Sequence, residues 1–351
     1  MKMLAERGKP YWSCEWLEWG LTFSAMNLNI CCITHHNGLG SPQLLRPYNG
    51  ERLDIEKLIE DRDKVTLKNQ FPERYPACAG CAALKEMKWP IKKYPFDVIN
   101  LSHWRKCNLR CSFCYTVIEP MPELDQTYQA LPVMQQLVSE KAVGAGSQVY
   151  WGGGELTMLG EFDALFELFS ANGMYQHLYT NGVLLSRTLR DALPSLNGEV
   201  MISIDAGTAD TFRLLKKANA FDRVMQNLAE YAHAASDKVT AKFILKDENC
   251  KEVVPFLDHV EKAGVRAIRV DVDNHEPVLK QNIIDAGRKF ATEGRRRGLA
   301  MHIGGTGDIG FPENEWKNKI AEPPGKTSNV SRLKKKINNA WNHLCAKVQK
   351  D

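Results

Sequence analysis

The chain has 351 residues, of which 44% are hydrophobic and 25% charged, and its formal net charge is +4. These proportions are those of an ordinary globular protein, so they exclude collagen-like, coiled-coil and wholly disordered chains. No run approaches the roughly 18 consecutive apolar residues that a membrane span needs, and the first residues lack the apolar segment of a signal peptide. We therefore expect a cytoplasmic protein with no membrane partner.

Residues 1–95 are rich in tryptophan, cysteine, histidine and proline. Ten cysteines in a chain without an export signal favour metal or redox chemistry over a disulfide framework. Two cysteines separated by two residues on one turn are a common pair of metal ligands. The segment is therefore predicted to be a small module organised by a metal. Its candidate ligands are Cys78 and Cys81, Cys14, and either Cys31 or Cys32.

From residue 96 onward, short apolar runs alternate with helix-length amphipathic segments. This order predicts parallel strands joined by right-handed helical crossovers. Six such units are too few for a closed eight-unit barrel, which usually needs about 250 residues. We therefore expect an α/β fold in which residues 96–303 form an open, partial (βα)6 barrel. The six predicted strands are Phe96–Leu101, Gln148–Trp151, His177–Thr180, Glu199–Asp205, Lys238–Leu245 and Ala267–Val272.

Residues 304–351 break this pattern with glycine and proline before an amphipathic pattern resumes. From residue 317 to the end, nine lysines and arginines face two acidic residues, so the basic character of the chain belongs to this tail. We predict a linker followed by a basic amphipathic helix. The basic runs are interpreted as a solvated helix face, so nucleic acid is not an expected partner.

The loop after the first predicted barrel strand contains Cys107, Cys111 and Cys114. Three thiolates this close can bind one side of an iron–sulfur cluster and leave one iron open to a small molecule. The pattern CxxxCxxC, with Phe113 before the last cysteine, resembles the signature of the radical S-adenosylmethionine (SAM) enzymes. The resemblance implies a [4Fe–4S] cluster whose open iron binds SAM. It also implies reductive cleavage of SAM to a 5′-deoxyadenosyl radical that abstracts hydrogen from a substrate carbon.

Further motifs lie at the carboxyl ends of the next three predicted strands, where barrel enzymes assemble their sites. Trp151-Gly152-Gly153-Gly154-Glu155 is similar to the glycine and glutamate motif of the same family. Glycines let backbone approach a ligand closely, and the acid can accept a hydrogen bond from the SAM ammonium. Each residue alone is also compatible with an ordinary strand-end turn. The SAM-binding residues implied by the resemblance are Phe113, Gly153, Gly154, Glu155, Asn181, Ser203 and Asp205.

The amino-terminal cysteines resemble the Twitch module, the shorter relative of the SPASM extension, which binds an auxiliary [4Fe–4S] cluster. Here the module precedes the barrel, whereas such extensions generally follow it. A structural zinc ion remains the alternative, and His35 or His36 could replace one ligand. The auxiliary ligands implied by the resemblance are Cys14, Cys32, Cys78 and Cys81, with Cys31 as the alternative to Cys32.

The resemblance implies an enzyme that modifies peptides by oxidation, epimerisation or crosslinking. The alternatives are radical oxidation or epimerisation of a carbohydrate or nucleoside, and a noncatalytic iron–sulfur or zinc protein. Expected partners are a small electron donor such as flavodoxin or ferredoxin and a peptide or small-molecule substrate. Lys242, Lys246 and Arg269 could meet the SAM carboxylate or an anionic substrate, and Cys250 is a candidate hydrogen donor to a substrate radical.

Overall fold

The computed structural model of the chain describes residues 9–31, 48–79, 81, 83–118, 128–273 and 280–303. The predictions made for Cys32, His35, His36 and the segment 304–351 lie outside the described residues. No helix in the described part of the chain is both long enough and apolar enough to cross a membrane.

Strands and helices alternate along most of the described chain. The strands are β1 (Tyr11–Ser13), β2 (Gly20–Ser24), β3 (Leu28–Asn29), β4 (Lys85–Met87), β5 (Val98–Ser102), β6 (Gln148–Trp151), β7 (Tyr175–Thr180), β8 (Gly198–Ser203), β9 (Val239–Leu245), β10 (Ala267–Val272) and β11 (Ala300–Ile303). The α-helices are α1 (Glu15–Trp19), α2 (Ile55–Lys68), α3 (Tyr115–Ile118), α4 (Leu131–Ser139), α5 (Phe162–Ala171), α6 (Arg187–Ala192), α7 (Ala209–Lys216), α8 (Phe221–Ala235), α9 (Val253–Lys262) and α10 (Gln281–Arg296).

The described residues fall into two compact units. The first takes those within 1–108, 119–179 and 195–199, and the second takes those within 109–118, 180–194 and 200–351. The boundary therefore passes through the signature loop, the end of β7 and the beginning of β8.

In the first unit, β2 pairs in parallel with β5, β5 with β6, and β6 with β7. β3 pairs antiparallel with β2, and β1 with β4 forms a separate two-stranded antiparallel sheet. Gly20 of β2 lies opposite Val98 of β5, so a strand from the cysteine-rich segment joins the first predicted barrel strand. Four of the five residues of β2 are buried, which hides the alternation that would identify a strand from its sequence.

In the second unit, β8 pairs with β9, β9 with β10 and β10 with β11, all in parallel. Alternate residues of β9 are buried, so one face of the strand packs against helices and the other presents side chains such as Lys242. β11 is one strand more than the sequence analysis predicted. Its four residues are followed directly by Gly304 and Gly305, a pair typical of a linker.

Aromatic side chains hold the helices against the strands within each unit. In the first unit the Trp151 ring lies 5.2 Å from Phe162 and 5.7 Å from Phe169, both on α5. In the second unit Phe243 of β9 lies 4.8 Å from Phe256 of α9. Burial of each such side chain stabilises the fold by about 1.5–3 kcal/mol. This packing fixes the strands whose carboxyl ends carry the predicted site.

Each of the six predicted barrel strands overlaps an observed strand, from β5 to β10. The α/β class with a mostly parallel sheet is therefore confirmed. The prediction succeeds because buried parallel strands are short apolar runs that stand out between longer amphipathic helices.

Candidate functional site

The three signature cysteines lie in the loop between β5 and α3, and each is partly exposed. No disulfide joins any of the eight cysteines that the structure describes. The amide of Cys114 donates to the carbonyl of Cys111 at 3.1 Å, which closes a turn at the end of the signature. Cys107 belongs to the first compact unit and the other two cysteines to the second. Within the described residues, no three histidine, cysteine, aspartate or glutamate side chains are grouped so that they could hold one metal ion.

The glycine loop after β6 packs against the chain that leads to the first signature cysteine. The amide of Gly154 donates to the carbonyl of Trp104 at 2.9 Å, and the amide of Glu155 donates to the carbonyl of Lys106 at 2.9 Å. Gly153 has a φ of +87°, and a Cβ on Gly154 would lie 2.2 Å from the Lys106 oxygen. Glycine suits the left-handed backbone conformation at Gly153, and the absence of a side chain permits the close approach at Gly154.

Glu155 itself is 3% exposed. Its Oε1 accepts hydrogen bonds from the hydroxyl of Thr157 at 2.8 Å and from the amide of Thr157 at 3.2 Å. These bonds cap the short 3₁₀ turn Leu156–Met158. The expected contact of Glu155 with the SAM ammonium stays a prediction.

Asp205 lies directly beyond β8 and is 1% exposed. Its Oδ1 accepts from the amide of Ile244 at 2.6 Å, and its Oδ2 pairs with Nζ of Lys216. Its φ of +59° is a left-handed conformation that aspartate adopts more readily than most residues. The side-chain amide of Asn249 donates to the Asp205 carbonyl at 2.9 Å. Asp205 therefore links β8 to β9 and α7, and its expected contact with the SAM ribose stays a prediction.

Lys216 is a functional candidate that the sequence analysis missed. It ends α7 and is 2% exposed. Burial alone lowers the pKa of Lys216, but Asp205, aided by the thiolates of Cys111 and Cys114, outweighs burial and raises that pKa above its ordinary value. A charged ammonium therefore interacts electrostatically with two signature cysteines. The sequence feature that could have identified Lys216 is its position next to the buried Leu215 on an apolar helix face, because a buried charge needs a partner.

Phe113, the aromatic residue of the signature, interacts with two ammonium groups. Nζ of Lys216 lies 5.2 Å from the ring centroid and Nζ of Lys246 lies 5.4 Å from it, within the range of cation–π attraction. The amide of Ser112 donates to the carbonyl of Leu215 at 2.9 Å. The second half of the signature loop is therefore fixed to the end of α7 by both backbone and side chains.

Asn181 directly follows β7, and Ser203 is the last residue of β8. Oδ1 of Asn181 accepts a hydrogen bond from the amide of Val183 at 2.9 Å, which closes a turn. Gly182, the middle residue of this turn, has a φ of +73°. Ser203 ends β8 opposite Lys242 of β9 and is partly exposed. The predicted SAM contacts of both residues remain to be tested.

The three basic residues predicted on the last strands all pair with carboxylates in the second unit. Oδ2 of Asp271 lies 2.8 Å from Nε of Arg269 and 3.5 Å from Nζ of Lys242. Burial raises the pKa of Asp271, but these two cations outweigh burial and lower it below its ordinary value. Lys246 pairs with Asp273. The strands therefore present ion pairs, not isolated cations, on this face.

Cys250 is buried in the turn after β9, with 8% exposure. Its thiol donates to the carbonyl of Asp247 at 3.2 Å and accepts from the side-chain amide of Asn282 at 3.3 Å. The sulfur is therefore held by two polar groups from the loop and from α10.

Three amino-terminal cysteines, Cys14, Cys78 and Cys81, interact electrostatically within the first unit. Cys14 precedes α1, is 8% exposed, and accepts from the amide of Leu17 at 3.4 Å. Burial raises the pKa of Cys14, and the nearby thiolates of Cys78 and Cys81 raise it further. Burial also raises the pKa of Cys78, to about 11. Cys31 is buried as well, and the choice between it and the following cysteine stays open because the latter lies outside the described residues.

Residues 101–260 match the family model of the Radical SAM superfamily. The chain is 26% identical over 179 residues to the Fe-coproporphyrin III synthase of Methanosarcina barkeri, a match covering 50% of this chain and 43% of the relative. It is 23% identical over 213 residues to the GTP 3′,8-cyclase of Lactiplantibacillus plantarum, covering 59% of this chain and 64% of the relative. Streptococcus suis SuiB, solved with its precursor peptide SuiA, aligns with a TM-score of 0.49 at 12% identity over 83% of this chain and 63% of that one.

These matches span only 43% to 64% of the length of the two curated relatives. The matched family segment contains all three signature cysteines, the glycine loop and Asp205. Residues 101–260 are therefore the part of this chain that is similar to the Radical SAM superfamily.

Proposed function

We propose that this chain is an enzyme that holds a [4Fe–4S] cluster on Cys107, Cys111 and Cys114 and uses SAM to abstract hydrogen from a substrate carbon. When bound, the cluster and SAM supply the 5′-deoxyadenosyl radical for this step. The donor set fits the cofactor, because three thiolates can ligate three of its irons and leave the fourth for SAM.

The observation that carries the proposal is the buried ammonium of Lys216, which lies 5.2 Å from the Phe113 ring of the signature loop and interacts electrostatically with Cys111 and Cys114. Cysteine binds metals as the thiolate, and a neighbouring cation favours that form over the thiol. Asp205 holds the ammonium in place through the ion pair, while Phe113 packs against it. These residues keep a positive charge beside the cysteines, which favours retention of an anionic thiolate cluster.

The test is 5′-deoxyadenosine formation by the anaerobically reconstituted chain with SAM and dithionite. We expect product from the wild type and none from Cys114→Ala. Ser112→Ala is the matched control, because Ser112 belongs to the same loop and its side chain is exposed. Undiminished product in Cys114→Ala would refute the cluster assignment.

We further propose an auxiliary [4Fe–4S] cluster on Cys14, Cys32, Cys78 and Cys81, in a Twitch-like module within residues 1–95. Support comes from three of these cysteines, which interact electrostatically with one another in a largely buried region. Burying several thiolates together is costly unless a cation neutralises them. A full set of four ligands would leave no open iron, which suits a role in electron transfer or in holding the module together.

Metal content tests this second site. The Cys107→Ala/Cys111→Ala/Cys114→Ala chain should retain about four irons after reconstitution, and adding Cys78→Ala should remove them. Zinc in place of iron in the triple variant would establish the structural zinc alternative. Iron that survives Cys78→Ala would rule out this ligand set.

For the substrate we propose a peptide, modified by oxidation, epimerisation or crosslinking. The reason is that the amino-terminal segment resembles a Twitch module, and such modules are associated with peptide-modifying enzymes. A nucleoside or carbohydrate is the second candidate, and the relative named for GTP cyclisation favours it. The two classes are separable by deuterium transfer. Extract from cells grown in deuterated medium would be fractionated into peptides and small metabolites, and the fraction that places deuterium in 5′-deoxyadenosine contains the substrate.

A small reductant such as flavodoxin or ferredoxin is the proposed electron donor, tested by replacing dithionite with each protein. If the reaction is an epimerisation, Cys250 is the proposed hydrogen donor. Its thiol, held by Asp247 and Asn282, would have to turn toward the substrate radical. Cys250→Ala should then stop solvent deuterium from entering the product while 5′-deoxyadenosine still forms.

A further inference from the structure

A short segment after the amino-terminal CxxC pair concentrates positive charge on the first unit. Residues 85–93 contain four lysines and one acidic residue, Glu86. The lysines are Lys85, Lys88, Lys92 and Lys93. Three of them are exposed, and the fourth, Lys92, is half-buried and pairs with Asp97 at 2.6 Å. Four lysines against Glu86 and Asp97 leave a surplus of two positive charges.

An exposed apolar side chain lies within this run of lysines. Ile91 directly precedes Lys92 and Lys93, and it is 81% exposed, more than any other large hydrophobic residue that the structure describes. A single exposed apolar side chain is ordinary on a protein surface, but one flanked by charges reproduces the apolar centre and polar rim of a protein interface.

Two of the lysines are held by tryptophan rings. Nζ of Lys85 lies 5.5 Å from the ring centroid of Trp89, and Nζ of Lys92 lies 4.9 Å from that of Trp19, both within the range of cation–π attraction. The two rings pack edge to face at 5.9 Å and are each 5% exposed. Side chains held in this way lose less conformational freedom when a partner docks. The buried rings offer no face on which bases could stack, which disfavours single-stranded nucleic acid as the partner.

The same segment is joined to the amino-terminal cysteines by the two-stranded sheet. Lys85 begins β4 and lies opposite Ser13 of β1, the residue that precedes Cys14. The amide of Leu84 donates to the carbonyl of Cys81 at 3.0 Å. The charged segment therefore continues directly from the backbone that carries two of the candidate metal ligands.

We propose that the lysine patch, defined as the four lysines of residues 85–93 together with Ile91, is the docking surface for a small acidic electron-carrier protein. The inference rests on the proposed function, because reductive cleavage of SAM consumes one electron. The carrier is oxidised by one electron, and the iron–sulfur site of the chain is reduced by one. Opposite charges speed the encounter and orient the carrier. Such brief redox encounters bury less than about 1,200 Å² in total, so a small patch suffices.

The experiment measures 5′-deoxyadenosine formation by the full reconstituted chain, with reduced flavodoxin and in parallel with dithionite. For Lys88→Glu/Lys93→Glu we expect the KM for flavodoxin to rise about tenfold at low ionic strength, with dithionite-driven product unchanged. Added salt should raise the KM of the wild type and change that of the variant little. Lys262→Glu/Lys289→Glu is the matched control, because it changes the net charge equally at exposed positions of α9 and α10.

Calorimetric titration of the chain with oxidised flavodoxin at low ionic strength tests the surface without catalysis. We expect Lys88→Glu/Lys93→Glu to bind about tenfold more weakly than the control variant, and Ile91→Ser to bind more weakly than wild type at every salt concentration. Equal affinity in the two charge variants would overturn the inference, and so would absence of binding to the wild type.

Two results separate this inference from the proposed function. Loss of dithionite-driven product in Lys88→Glu/Lys93→Glu at full iron content would overturn the docking role, because the lysines would then serve the substrate, such as an acidic peptide. Absence of dithionite-driven product from the wild type would refute the proposed function instead, and the calorimetric comparison would still decide whether the lysine patch binds the carrier.

Discussion

The two groups of cysteines in this chain differ in what surrounds their sulfurs. Cys111 and Cys114 are partly exposed and lie beside the charged ammonium of Lys216. Cys14 and Cys78 are 8% and 5% exposed, and the Cys14 sulfur accepts a hydrogen bond from the neutral amide of Leu17. A site that must admit a cofactor to an open iron needs access, whereas a fully ligated cluster can be enclosed. The difference in exposure and charge therefore matches the two roles proposed for the sites.

The largest expected effect tests whether the two groups of cysteines have different roles. Cys114→Ala should abolish 5′-deoxyadenosine formation, whereas Cys78→Ala should leave part of it, because only the signature cluster is proposed to bind SAM. Product and iron would be measured on the same anaerobic samples. Complete loss of product in Cys78→Ala, although its signature-cluster iron is retained, would mean that the sites do not have separate roles.

The second effect concerns the charge that distinguishes the signature site. Lys216→Met leaves the buried carboxylate of Asp205 without its partner, which we expect to lower the free energy of unfolding by about 3–5 kcal/mol. Lys216→Met/Asp205→Asn removes both charges and should recover much of that stability. Urea unfolding of the chain checks both values. The double variant should still retain less signature-cluster iron than wild type, and full retention would contradict the role given to the ammonium.

The third effect tests the backbone approach at the glycine loop. Gly154→Ala places a Cβ against the carbonyl of Lys106, and we expect a loss of stability of about 1–3 kcal/mol with weaker SAM binding. The matched control is Gly160→Ala, because a Cβ there meets nothing within 4 Å in the described structure. Calorimetric SAM titration of the reconstituted proteins measures the difference. Wild-type affinity in Gly154→Ala would remove the glycine loop from the binding site.

The smallest effect concerns the base of the signature loop. Glu161 accepts from Nε2 of His103 and from the amides of Ala130 and Leu131, each at 2.8 Å. Burial raises the pKa of Glu161, but these donors outweigh burial and hold the pKa below its ordinary value of 4.5. A carboxylate with a depressed pKa stabilises the fold above pH 4.5, and this contribution disappears as the pH falls through the folded-state value. Glu161→Gln should therefore cost about 1–2 kcal/mol at pH 7, and this cost should shrink as the pH falls below 4.5 and through the lowered folded-state pKa.

That pH dependence is measured by comparing urea unfolding of wild type and Glu161→Gln from pH 7 downward. Asp285→Asn is a suitable control, because Asp285 is exposed on α10 and its ion pair with Arg288 should contribute little. If the difference in the free energy of unfolding between the two proteins stays constant with pH, the charge of Glu161 is not what stabilises this region.

Part of the fold was predictable and part was not. The strands β5 to β10 were predicted because each is an apolar run between amphipathic helices. β11 was not, since a four-residue strand before two glycines carries little periodicity. Lys216 was also missed. Its importance comes from a buried ion pair with Asp205 and from electrostatic interaction with cysteines that are distant in sequence, which a local pattern does not report.

The sequence by itself determined the signature spacing, the glycine loop, the α/β class and the similarity of residues 101–260 to a known family, because these depend on residues that are close along the chain or on a regular alternation. The tertiary structure decided which charges and amides surround the sulfurs. It brought Lys216 into an ion pair with Asp205 and into electrostatic interaction with Cys111 and Cys114. The physical reason is that electrostatic and hydrogen-bond interactions depend on distance and burial in space, and these are properties of the folded chain.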